Sequence, residues 1–287
     1  MSDASSGVVL IGVPWDGSSS FLRGAARGPS AIRDALWSPS SNSWTEGGID
    51  LAQAKSDGRF VDGGDVDVGA TADESVRLIR DGVERVLAGG RHVVSLGGDH
   101  SVTYPILDAH ARSGVRPAVL HIDAHADLYD VFDENRLSHA CPFARVMEAG
   151  LASRLVQVGI RTLNRHQRQQ AERFGVEIIE MRDWSPSVLL SFEEPVYVSL
   201  DLDALDPAYA PGVSHHEPGG LSTREVIGLL HRMRGRVIGA DVVELNPARD
   251  IHGVTAMVAA RLVKELVGRM LAPGERVDFG RRSDREG

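Results

Sequence analysis

The chain has 287 residues, 42% hydrophobic and 25% charged, with a formal net charge of −9 and a pI of about 5.6. That acidic balance gives a polyanion such as nucleic acid no electrostatic help and favours a cationic ligand, and no apolar run reaches the ~18 to 20 residues of a membrane span. Cys141 is the only cysteine, which excludes an intrachain disulfide framework, and MSDASSGVVLIG lacks a basic stretch ahead of its short apolar run, so a cytoplasmic location is expected.

In chain order, apolar runs of strand length recur: GVVLIGV, RHVVSLGG, PAVLHID, LVQVGIR, PVYVSLDLD and RVIGADVVEL. Near-continuous Val/Ile/Leu runs are the mark of strands buried on both faces, as in a parallel sheet. Between them, ESVRLIRDGVERVL places Val76, Ile79, Val83 and Val86 on one helical stripe. LSTREVIGLLHRM opens with Ser222 and Glu225 in capping-box spacing, then offers Val226, Leu229, Leu230 and Met233 as a core face. TAMVAARLVKELVGRML predicts a closing helix, followed by a polar tail, 272–287, expected to fray. Residues 38–58 read as a long irregular loop. The alternation predicts one domain over 1–287, a three-layer α/β/α sandwich with a mostly parallel sheet.

The strands end in chemistry. HVVSL runs into GGDHS, AVLHI into DAHAD and VYVSL into DLDALD, so Asp99 and His100, then Asp123, His125 and Asp127, then Asp201, Asp203 and Asp206 gather at carboxyl ends. Ligands usually bind at that edge of an open α/β sheet. Each Asp alone reads as an ordinary cap or surface charge. Together, Asp123, Asp127, Asp201 and Asp203 would repel one another in one cleft unless cations sit among them. Carboxylates and imidazoles without thiolates suit Mn²⁺ better than structural Zn²⁺, with Ni²⁺ and Co²⁺ also able to use such ligands. A pair of divalent ions is a usual device for activating water. His121, inside its apolar run, reads as a core histidine or a neighbour of a ligand; His92, His110, His166 and His231 read as surface or helix residues.

GGDHS, DAHAD and SLDLDALDP resemble the three signature motifs of the ureohydrolases, the arginase and agmatinase family. The likeness extends through GVPWDGSSSFLRGAARGPSAIRDAL, SHACPFARVME, APGVSHHEPGGLS and GADVVELNP, about residues 8–271. The resemblance implies an arginase/deacetylase-type fold and two Mn²⁺ per subunit. His100, Asp123, Asp127 and Asp201 would hold one ion; Asp123, His125, Asp201 and Asp203 would hold the other. It also implies His139 as the catalytic histidine, Glu244 as the carboxylate that grips the guanidinium, Asp127 as ligand and acceptor for the attacking water, and a homo-oligomer, trimer or hexamer.

Those residue types suit hydrolysis of a guanidino group to urea and an amine. A carboxylate matches a guanidinium, and an imidazole with ordinary pKa near 6.5 can pass a proton to the leaving nitrogen. A Cys141–His139 nucleophilic pair, a metal-binding homologue without turnover, and amide hydrolysis with a single zinc on the related deacetylase scaffold are the alternatives; GxSxG and GxxxxGK[ST] do not occur. VGIRTLNRHQ carries Thr162 and Asn164 where animal-type arginases are acidic, and several segments resemble the plant-type arginases of the agmatinase-like branch. The acidic loop DVFDEN, with Asp130, Asp133 and Glu134, would favour a cationic tail. Agmatine is therefore the first expected substrate, L-arginine the second and another guanidino compound the third.

Overall fold

A computed structural model describes residues 7–272. The tail from 273 onward, part of the segment expected to fray, lies outside the described residues, as do residues 1–6. Eight strands are present among the described residues: β1 (Val8–Val13), β2 (Phe60–Asp65), β3 (His92–Gly97), β4 (Ala118–Ile122), β5 (Arg154–Ile160), β6 (Glu177–Glu180), β7 (Val196–Asp201) and β8 (Val237–Val243). They form one sheet in the order β2-β1-β3-β8-β7-β4-β5-β6, every pair parallel.

The helices are α1 (Gly28–Leu36), α2 (Leu51–Ser56), α3 (Ala72–Ala88), α4 (Thr103–Arg112), α5 (Pro142–Glu148), α6 (Arg165–Phe174), α7 (Thr223–Arg232) and α8 (Val254–Leu271). Successive strand residues point to opposite faces, and the core divides accordingly. Val8 and Leu10 pack with Ile32 of α1, Val226 of α7 and Leu262 of α8. Val9, Ile11 and Val13 pack with Ile79 of α3, Ile106 of α4 and Phe143 of α5. The expected three-layer α/β sandwich is the fold observed.

The six apolar runs become the six inner strands, β1, β3, β8, β7, β4 and β5. The sequence reading missed β2 and β6, which close the two edges of the sheet; they carry FVDGGD and EIIE, largely exposed or half-buried, so no apolar run marks them. In α3, Ile79 and Val83 are buried and Val76 and Val86 half-buried. The capping box of α7 is formed: Ser222 Oγ accepts from Glu225 N at 3.2 Å and Glu225 Oε2 accepts from Ser222 N at 2.9 Å. Residues 38–58 are less irregular than expected, because Asp50 caps α2 by accepting from Ala52 N at 2.9 Å. Buried Lys264 and Glu265 of α8 hold that segment down: Lys264 Nζ donates to Ser41 Oγ and, at 2.5 Å, to Asn42 O, and Glu265 accepts from Glu46 N at 3.0 Å. No helix among the described residues is long and apolar enough to cross a membrane.

Candidate metal centre and active site

Four neighbouring strands, β3, β8, β7 and β4, deliver seven of the eight expected site residues at their carboxyl ends. His100 opens a short 3-10 turn (His100–Val102) after β3, Asp123, His125 and Asp127 follow β4, Asp201 ends β7 with Asp203 in the next turn (Leu202–Ala204), and Glu244 follows β8; His139 comes from the loop that leads into α5. Two of these residues hold a left-handed backbone that non-glycine residues rarely adopt, Asp127 with φ 50 and Glu244 with φ 67. Such conformations persist where surrounding structure enforces them, often at functional sites.

The geometry centres on His100 Nδ1. Asp123, Asp127 and Asp201 each place Oδ2 3.1 Å from it, and all four side chains are buried. Burial opposes a charge on His100, but the three carboxylates set against it outweigh that and raise the imidazole well above its ordinary value. That is a demand for positive charge. A second cluster adjoins the first: His125 Nδ1 lies 3.0 Å from Asp203 Oδ2 and 3.5 Å from Asp123 Oδ1. Burial, then the charges of Asp203 and Asp123, push the Asp201 carboxyl well up, and burial, opposed by His125, brings Asp203 up to about 6.

Four buried carboxylates against two imidazoles leave negative charge even with both rings protonated. Divalent cations fit that donor set: hard oxygens, two nitrogens, no thiolate. His100 Nδ1 is itself a buried nitrogen without a geometrically acceptable hydrogen-bond partner, although three carboxylate oxygens lie 3.1 Å from it. Asp123 reaches both clusters, Oδ2 toward His100 and Oδ1 toward His125, so the residues could hold two ions.

Beside the carboxylates sits a second constellation. Glu244 Oε1 accepts from His100 N at 2.9 Å and from His139 Nδ1 at 3.2 Å, while Oε2 accepts nothing from the described residues. His139 Nε2 faces Ser20 Oγ at 2.9 Å. Burial works against charge on His139, yet the hydrogen bond and charge of Glu244 push it up to about 9. His215, which the sequence reading left without a role, tilts over His139 with ring centroids 5.0 Å apart. Its only signal was the HH pair in the loop after β7.

Close backbone approach explains the second glycine of GGDHS. A Cβ on Gly98 would lie 1.8 Å from the Trp15 carbonyl oxygen, where Asp99 N donates at 2.8 Å. Asp99 takes no place among the carboxylates around His100; it accepts from Ser18 N at 2.9 Å and Ser101 N at 3.1 Å and fixes the turn. Asp206 does the same for its loop, accepting from Ala208 N and Gly219 N. Arg161 ties the loops together, donating to the carbonyls of Gly159, Asp203, Ala204 and Glu217.

The acidic loop is partly spoken for. Asp130 accepts from Arg136 at 2.8 Å and Arg145 at 2.7 Å, so it does not await a cationic ligand; Asp133 and Glu134 are exposed at positive φ. Cys141 is buried, with burial pushing its thiol up to about 12, which removes it as a nucleophile at neutral pH. His121 is fully buried beside the centre, His110 is a buried helix residue, and His92 is a half-buried strand residue rather than a surface or helical one.

The Arginase family model matches residues 6–268. The chain is 47% identical over 278 residues to "Arginase 1, mitochondrial" of Arabidopsis thaliana, covering 91% of this chain and 80% of the relative. It is 41% identical over 270 residues to an N(1)-aminopropylagmatine ureohydrolase of Thermus thermophilus, covering 91% and 89%. Among solved structures, an arginase from Medicago truncatula superposes with a TM-score of 0.89 at 42% identity over 94% of this chain and 89% of that one. These relatives correct the cytoplasmic expectation: arginases of Arabidopsis, rice and Medicago similar to this chain are mitochondrial by name, and a second from Arabidopsis is chloroplastic/mitochondrial. One cysteine and an acidic charge do not distinguish one reducing compartment from another.

Proposed function

The chain belongs to the arginase family of hydrolases, and on that premise we propose that it converts L-arginine and water to ornithine and urea, with two divalent cations, Mn²⁺ foremost, as cofactors. The observation that carries the chemistry is the convergence of Asp123, Asp127 and Asp201 on the unpartnered His100 Nδ1. Arginine takes precedence over agmatine because relatives at 44–47% identity are plant arginases and because Asp130, the carboxylate expected to greet an agmatine ammonium, is held by two arginines.

His100, Asp123, Asp127 and Asp201 would hold one cation, and Asp123, His125, Asp201 and Asp203 the other. When bound, the cations supply the Lewis acidity that makes water a competent nucleophile near neutral pH. Glu244 binds and orients the guanidinium: Oε1 is anchored by His100 N and His139, which leaves Oε2 for a substrate N–H. Asp127, turned back by its left-handed backbone, accepts a hydrogen bond from the attacking water. The water oxygen bonds to the guanidinium carbon, the carbon's bond to the side-chain nitrogen breaks, and that nitrogen needs a proton. In this reading His139 Nε2, which faces Ser20 Oγ, delivers it.

A guanidine with a polyamine tail is the second reading, favoured by the Thermus relative. Urea release from L-arginine, agmatine, aminopropylagmatine and 4-guanidinobutyrate by Mn²⁺-loaded protein, with Asp201→Ala as the blank, separates the two. Urea from agmatine but not arginine would overturn the main reading. The trimer or hexamer implied by the family belongs to the same proposal and is read from light scattering.

A further inference from the structure

Five polar residues stand at one register across neighbouring strands: Ser95 on β3, Asp241 on β8, Ser199 on β7, His121 on β4 and Gln157 on β5. All are fully buried. Polar groups inside a sheet of Val, Ile and Leu are costly unless bonded; Ser95 Oγ finds no partner, while the other four residues are bonded in two branches that lead to Asp123 and His100.

One branch ends at Asp123. Gln157 Nε2 can only donate, and it does so to His121 Nδ1 at 3.0 Å; His121 Nε2 therefore carries the ring proton and donates to Asp123 Oδ2 at 2.7 Å. The other branch ends at His100. Asp241 Oδ2 accepts from Thr103 Oγ1 at 2.9 Å and Tyr197 OH at 2.8 Å, and Oδ1 accepts from Ser199 Oγ at 2.7 Å. Ser199 has one hydroxyl proton, committed to Asp241, so toward His100 Nε2 at 3.0 Å it can only accept.

We propose that Asp241 is a positioning residue which, through Ser199, fixes the His100 proton on Nε2 and so presents the Nδ1 lone pair to one cation of the pair. The inference rests on the two-cation reading above. It also assigns the branches different reach: Asp241 acts through His100, which would serve one ion, whereas Gln157 and His121 act on Asp123, which would serve both. An asparagine at 241 can donate to Ser199 Oγ, which turns the serine proton toward His100 Nε2 and moves the histidine's own proton to Nδ1, where it competes with a cation.

The test uses the full chain loaded with Mn²⁺, comparing wild type with Asp241→Asn, Ser199→Ala, Ser199→Thr and Thr103→Val. Bound Mn²⁺ per chain and each Kd are measured by chelator competition, with electron paramagnetic resonance to tell a coupled pair from an isolated ion. Asp241→Asn and Ser199→Ala are expected to weaken one ion by about 10- to 100-fold, the range for partners that orient a ligand, to leave the other near wild type, and to give the isolated-ion spectrum. Ser199→Thr keeps the hydroxyl and the coupled pair. Thr103→Val, which removes a hydroxyl from Asp241 without touching Ser199, reports general loosening and leaves both ions bound. Equal weakening of both ions, or none, overturns the role of Asp241. Fewer than two ions in wild type overturns the two-cation reading itself, and this inference with it.

Discussion

The backbone amide of His100 donates to Glu244 Oε1 at 2.9 Å, so the residue proposed to hold a cation and the residue proposed to hold substrate share one hydrogen bond. Glu244→Gln keeps an acceptor for that amide but removes the charge. Loss of one partner from a buried charged contact costs about 2–4 kcal/mol, so kcat/KM for arginine is expected to fall ~30- to 1,000-fold while Mn²⁺ stoichiometry stays at the wild-type value. A parallel loss of metal would show that Glu244 supports the metal centre instead.

His139 carries a pH signature. Its folded-state pKa is raised to about 9 against Glu244 from an ordinary value near 6.5, so the protonated form favours the fold. That contribution is complete below about pH 6.5 and disappears as pH rises through about 9; it amounts to ~3 kcal/mol at most. Urea denaturation of wild type and His139→Asn at pH 6 and pH 10 should show a gap at the lower pH that narrows at the higher. An equal gap at both would mean that His139 stabilises through packing.

Gly98→Ala brings a Cβ to within 1.8 Å of the Trp15 carbonyl. The backbone has to shift, so a loss of about 3 kcal/mol or more is expected, read as a lower thermal midpoint. Gly114→Ala, whose Cβ meets nothing within 4 Å at φ 87, isolates backbone strain from collision and is expected to cost only about 1 kcal/mol.

Asp130→Asn tests the acidic loop. Asp130 is 40% exposed and paired with Arg136 and Arg145, and exposed ion pairs contribute about 1 kcal/mol or less. A small drop in stability is expected, with KM for arginine and for agmatine both within about twofold of wild type. A selective rise in KM for agmatine would place Asp130 against the substrate tail.

Much of the centre was legible because buried carboxylates are unusual and because these stand directly after apolar runs. Asp123 and Asp201 announce themselves at the ends of AVLHI and VYVSL. Asp241 did not. It sits alone inside GADVV, and what gives it meaning is Ser199 on the adjacent strand and His100 about 140 residues earlier, a relation across strands that a linear reading does not contain. The same holds for Gln157: its partner His121 reads from sequence as a core histidine or a neighbour of a ligand, but the bond from Gln157 that sets its proton crosses between strands. Edge strands β2 and β6 escaped for the opposite reason: their backbones pair, but their side chains meet water and so leave no apolar pattern. The compartment was misjudged because nothing in the folded domain encodes it.

The strand order also has a consequence for how the molecule comes into being. Among the described residues β8 is the last strand, yet it lies between β3 and β7. Without residues 237–243 the strand order falls into two separate parts, β2-β1-β3 and β7-β4-β5-β6, with His100 on one and Asp123, Asp127 and Asp201 on the other. The nascent chain cannot gather those groups around a cation before its final strand enters the gap. Assembly of the centre and completion of the sheet are therefore one late event, and the closing helix α8 follows only 11 residues after β8 to seal it.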